Sequence, residues 1–100
     1  MARLNYPQSN NILFLRGDIN YTEFHLVDGK KVVSSCTLLR HQEKLGSFIR
    51  VSKSHLVNPD FVKNVAYEGT YAQVELMNGN LLKISRRRID HVKNSILIIK

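Results

Sequence analysis

Phe48-Ile49-Arg50-Val51-Ser52-Lys53-Ser54-His55-Leu56-Val57-Asn58 is the run on which the reading of this chain turns. Phe48, Ile49 and Val51 are aromatic or β-branched and favour a half-buried strand. Leu56 and Val57 return the chain to a core before Asn58-Pro59 turns it. Ser52, Lys53 and Ser54 are left at an exposed tip with His55 beside them, a polar knuckle held at both ends. Hydroxyls and an ammonium in a row donate to phosphate oxygens, and Lys53 is long enough to reach a base edge. On this stretch alone a solvated β-turn reads the same way.

The flanks supply the setting. Residues 71–77 alternate, with Ala72, Val74 and Leu76 opposite Tyr71, Gln73 and Glu75, the period of a strand with one buried face. Asn78-Gly79 predicts a two-residue type I′ hairpin onto residues 80–85, where Leu82 and Ile84 continue the buried face. Ile84-Ser85-Arg86-Arg87-Arg88-Ile89 then sets three guanidiniums between apolar anchors, each with a rigid fork suited to phosphate or guanine. Upstream, residues 12–15 read as a buried strand, residues 16–20 as a turn and residues 21–27 as a second strand. There Thr22, Phe24 and Leu26 share one face, and Tyr21, Glu23 and His25 share the other, with His25 facing solvent. Asp28-Gly29 is a second hairpin signal, returning through residues 30–34, and Lys30 and Lys31 serve solubility or protect the edge. Thr37 as N-cap, Leu38 and Leu45 seven apart and Gly46 at a left-handed C′ position predict a helix over residues 37–45. Leu39 extends its apolar stripe, and residues 40–44, His41 included, form its polar face. A turn at residues 58–60, a short helical segment at 60–63 and a short strand at 65–68 complete a mainly β, antiparallel pattern with one short helix.

One hundred residues carry fifteen Lys and Arg against eight Asp and Glu, a net charge of +7. An acidic partner follows, with nucleic acid the first candidate. Residues 83–100 hold six cations against Asp90 alone, +5 of that charge. No apolar run approaches the roughly 18 residues of a membrane span. Residues 1–11 are a polar arm without the apolar region of a signal peptide, so a cytoplasmic location is expected. Residues 12–100 form a single domain. Cys36 is the only cysteine, which excludes an internal disulfide, and it reads as a small buried residue. The four histidines and eight acids are scattered without a zinc pattern, phosphate loop or nucleophile elbow. Neither an enzyme, a cofactor, a metal nor a small-molecule substrate is expected.

Residues 48–58, followed by an Asn-Gly hairpin and Ile84-Ser85-Arg86-Arg87, resemble the LytTR DNA-binding domain, the output module of many bacterial response regulators. That family usually carries aromatic-(Ile/Val)-Arg-Val-His-Arg-Ser-x-(Leu/Ile)-Val-Asn and later (Val/Ile)-Ser-Arg-Arg. Phe48, Ile49, Arg50, Val51, Ser54, Leu56, Val57, Asn58, Ile84, Ser85, Arg86 and Arg87 match, whereas Ser52 and Lys53 stand where His and Arg are usual. The resemblance spans roughly residues 12–93. It implies small antiparallel sheets stacked in an elongated β sandwich that binds double-stranded DNA, reads the major groove through loops and regulates transcription. It admits two copies on adjacent repeats. Within it, Arg87 is the first choice for base readout, Lys53 the second and Asn20 or Tyr21 the third. Ser52, Ser54, Arg86 and Arg88 are expected to position phosphates, with His55 beside them. Family members commonly carry a receiver domain ahead of this module, and with about eleven residues before it, receiver control is expected to be absent from this chain. The alternative is a basic β-sheet module that docks an acidic protein through the same arginines, without DNA sequence preference.

Overall fold

Ile12, Leu13, Phe14 and Leu15 are all buried, which only a strand covered on both faces accommodates. In the computed structural model, which describes residues 7–99 and side chains through residue 95, they open β1 (Ile12–Gly17) at the centre of the larger sheet. Strands β2 (Thr22–Leu26), β3 (Lys31–Ser34), β4 (Ile49–Arg50) and β5 (His55–Val57) complete it, antiparallel, in the order β3-β2-β1-β5-β4. A bulge between Ile12 and Phe14 shifts the pairing with β2. It sends Ile12 and Leu15 to one face and Leu13 and Phe14 to the other. A second sheet, β6 (Val62–Glu68), β7 (Tyr71–Leu76) and β8 (Leu81–Ile84), is paired in sequence order.

These faces make two cores. Leu13, Phe14, Ile49, Val51 and Val57 pack against Ala72, Val74, Leu76, Leu82 and Ile84 of the smaller sheet, with Val92 from α2 (Ile89–Ile99) joining them. On the opposite face Ile12, Leu15, Phe24 and Leu56 are covered by Leu38 of α1 (Leu38–Lys44), with Leu45 and Phe48. The stacked sheets give extents of 49 × 25 × 21 Å, the elongated β sandwich that the resemblance implied. Buried Asn58 locks the N-terminal entry, its Nδ2 donating to the carbonyls of Ser9 and Ile12, each at 2.9 Å. Residues 1–6 of the expected arm, Lys100 and the side chains of the terminal apolar run lie outside the described residues.

Several local expectations are corrected. Both hairpins are three-residue loops: the Gly29 and Gly79 amides donate to Leu26 and Leu76, and the Leu26 and Leu76 amides to Lys30 and Asn80. This is a type I turn closed by a left-handed glycine. Only the glycines take positive φ, +90° and +95°, while Asp28 and Asn78 accept from the amide two residues on. The strand predicted at residues 65–68 starts at Val62, and the short helical segment falls at Pro59–Phe61. His25 does not stand free in solvent, since its ring stacks on Phe14 with centroids 4.4 Å apart. Cys36 is exposed, and Gly46 is not left-handed.

The stripe of α1 is rotated from the one expected. A Cβ on Gly17 would lie 2.8 Å from the Leu38 Cβ, so Leu38 sits directly on β1 and the helical period aims His41 and Leu45 inward with it. Leu39 is thereby turned out, 58% exposed, and His41 is 3% exposed. The His41 ring meets Phe24 edge-on at 4.7 Å, and its Nε2 shares a 2.9 Å hydrogen bond with Ser34 Oγ. The C-terminal helix α2 was not anticipated.

Burial, and secondarily the charge of Lys44, holds His41 below its ordinary value of 6.5. The unfolded chain therefore takes up this proton at higher pH than the folded chain, and stability falls as pH drops through that window. Thermal melts are expected to be level above about pH 7.5 and to decline below about pH 6.5. His41→Gln should lessen the decline; an unchanged slope contradicts the assignment.

Candidate nucleic-acid interface

The knuckle between β4 and β5 is a loop whose four successive carbonyls all have partners. Val51 O accepts from the Ser85 amide at 2.8 Å, and Ser54 O from the Gly17 amide at 2.7 Å. Between them Ser52 O accepts from Arg50 Nε at 2.8 Å and Lys53 O from an Arg50 terminal nitrogen at 2.6 Å. The other terminal nitrogen donates to Gln42 Oε1 at 2.6 Å, tying the knuckle to α1. The Val51 amide donates to His55 O, and the Ser54 amide to Ser52 Oγ. Arg50 thus acts from beneath as a planar clamp, and its guanidinium is held below its usual value by burial and by the Arg88 charge.

The two outward bonds fix where the other predicted segments lie. Through Ser85 the knuckle holds the start of Arg86–Arg88, a 3₁₀ turn that runs directly into α2. Three residues per turn fan adjacent side chains apart. Arg86 and Arg87 line a cleft of about 530 Å³ with Ser52, Ser54, His55, Lys83 and Ser85. Arg88 is half-buried, and its NH1 lies 3.5 Å from Ser85 Oγ. No carboxylate of the described residues lines this cleft.

Through Gly17 the knuckle holds the loop of residues 17–21. Asp18 organises that loop: its amide donates to Tyr21 O at 2.8 Å and its carboxylate accepts the Ile19 amide at 2.7 Å. The Ile19 amide, followed by the Tyr21 hydroxyl, lowers the Asp18 carboxyl, and the same hydroxyl bond raises Tyr21. Asn20 is exposed and Tyr21 half-buried. Gly17, Asp18 and Ile19 face Arg50, Lys53 and Ser54 across a second cleft of about 450 Å³. The knuckle is the wall common to both clefts.

Of the residues singled out from the sequence, Ser52, Ser54, His55, Arg86 and Arg87 meet around one cleft, while Lys53 points to the other. Asn20 and Tyr21 follow the Asp18-Ile19 lip of that second cleft. His55 faces Ser52 Oγ at 3.3 Å, and burial, then Arg16 and His25, hold it below its ordinary value. Sequence reasoning missed Arg50 as the brace and Lys83 as a cleft cation. The alternation along β8 was the available signal for Lys83. Arg50 stood in the matched motif, but nothing local distinguishes a clamp from a solvated arginine. Among the described residues no cluster of His, Cys, Asp and Glu is suited to a metal, and no helix is long and apolar enough to cross a membrane.

A family model described as the LytTr DNA-binding domain matches residues 3–97. Among solved structures, a similar chain is the LytTr DNA-binding domain of a protein described as a methyl-accepting/DNA response regulator from Bacillus cereus. It is 17% identical with a TM-score of 0.71, the match covering 88% of this chain and 83% of that one. None of the curated proteins matches.

The clamp is testable by its geometry. Arg50→Met keeps the stem but leaves the part-buried Ser52 carbonyl and the exposed Lys53 carbonyl without their donor, and should cost about 1 kcal/mol. Arg50→Lys should fall between that variant and the parent, because one ammonium does not reproduce a planar fork on three acceptors. Urea midpoints in the order parent, Lys, Met are expected; a Met variant as stable as the parent contradicts the clamp.

Proposed function

Because this chain belongs to the LytTr DNA-binding domain family, we propose that it regulates transcription by binding double-stranded DNA in a sequence-specific manner, reading the major groove through loops. The observation that carries this reading is the tethering of two donor-rich segments to a third, the knuckle, with a cation-lined cleft beside it that no carboxylate of the described residues lines. Arg87, exposed and held by a turn rather than a tail, is the base reader, supported by Lys53 and by Asn20 or Tyr21. Ser52, Ser54 and Arg86 hold phosphates, and Arg88, engaged with Ser85, steadies the turn as well as adding charge. The domain works without a catalytic step and in the cytoplasm, where the DNA is. Two copies side by side on repeated sites fit a narrow domain of this kind.

The test is affinity measured against salt and against a panel of single-base-pair changes in a duplex selected from random sequence. Phosphate contacts give a log-log salt slope of about −0.9 each. Arg86→Ala should weaken all duplexes about equally and reduce the slope by about one unit. Arg87→Ala should cost roughly 1 to 3 kcal/mol on the selected duplex and erase the preference at one base pair. A uniform loss for Arg87→Ala contradicts its reading role. A steep salt slope with no preference among duplexes favours docking of an acidic protein instead.

A further inference from the structure

Ile19 is 85% exposed, the most exposed of the large apolar side chains in the described structure. It is also firmly presented. Its own amide is bonded to the Asp18 carboxylate, the Asp18 amide closes the turn on Tyr21 O, and Gly17 anchors the loop to the knuckle. A β-branched side chain has little χ1 freedom to lose on contact. Ile19 contributes to neither core cluster, so the fold gains nothing from an isoleucine here.

What surrounds Ile19 defines the surface it would meet. It lines the cleft that Arg50 and Lys53 share with half-exposed Leu39, an apolar lip beside cations. Asp18 lines the same cleft, its carboxylate engaged by the Ile19 amide and the Tyr21 hydroxyl with Arg16 adding attraction, so the anion is occupied within the loop. A polyanion that also presents small apolar groups complements this arrangement, and in the major groove the one apolar group a base edge offers is the thymine C5 methyl.

We infer that Ile19 is a specificity-determining residue that packs on the methyl group of a thymine. The inference rests on the DNA-binding reading above and extends it to an apolar contact. Asn20, next in the chain and exposed, is suited to an adenine edge, so the loop reads a thymine and a neighbouring A·T pair together. This gives the loop of residues 17–21 a readout independent of the arginines.

Deoxyuridine lacks only that methyl, which makes it the probe. Each thymine of the selected duplex is replaced singly by deoxyuridine, and binding is measured for the parent and for Ile19→Ala. At one position the parent should lose about fourfold, the worth of one buried methyl group, while Ile19→Ala loses less than about twofold. Thermal melts of the variant should match the parent, since the side chain lies outside both cores. Equal losses for parent and variant at every thymine, or no loss at any, overturn the inference while leaving DNA recognition by the parent intact. A parent that selects no duplex at all overturns the underlying reading and the inference with it.

Discussion

Four consecutive carbonyls in the knuckle, Val51 to Ser54, constrain everything around them. The two inner ones are satisfied by a single guanidinium from their own hairpin, and the two outer ones by amides 34 and 37 residues away, Ser85 and Gly17. Part-buried carbonyls without partners are costly, and the Val51, Ser52 and Ser54 carbonyls each draw on a different donor, so the loop holds its shape best when all three bonding directions are present. The same bonds carry the geometry of the surface outward. The arginine turn and the loop of residues 17–21 are set in place by the knuckle, and the knuckle by the two cores beneath it.

That arrangement concentrates like charges. Arg88 is close enough to Arg50 to disfavour its charged form, and Lys83, Arg86 and Arg87 share one cleft. A free domain gains nothing from such crowding. A bound polyanion relieves it, and counterion release adds to the gain. Burial in the stacked sheets keeps the backbone from moving these side chains apart. On the flank of β2 a carboxylate sits among the basic groups: Glu23 lies 3.6 Å from Arg16, 3.2 Å from His25 and 3.9 Å from Lys31. The contrast between a flank that holds a carboxylate and a cleft that no carboxylate of the described residues lines is the electrostatic basis of the proposed nucleic-acid face.

The strands were legible because period-two alternation leaves little choice of face. Ala72, Val74 and Leu76 are buried as read, and the glycine turns fall where Asp-Gly and Asn-Gly place them. Turn type was not legible, since Asp-Gly and Asn-Gly serve both the two-residue loop and the three-residue loop. His41 was misplaced because a polar residue was assigned to the polar face. The close approach of Leu38 to Gly17, a contact across 21 residues, sets the rotation of α1 instead. The second helix was hidden by its own start, three arginines in a 3₁₀ turn with only Ile89 and Val92 at helical spacing before the terminal apolar run. The candidate surface was read as three separate segments, and the bonds that join them run between backbone groups that no side-chain pattern advertises.

Backbone amide chemical shifts followed while the selected duplex is added decide whether one surface binds, because they report every segment at once. The large shifts are expected together at residues 17–21, 51–55 and 85–88, saturating with one affinity. The solvent face of the smaller sheet, at Asn64, Ala66 and Glu68, should remain unmoved. Shifts centred on that sheet, or confined to one of the three segments, would contradict a surface organised by the knuckle.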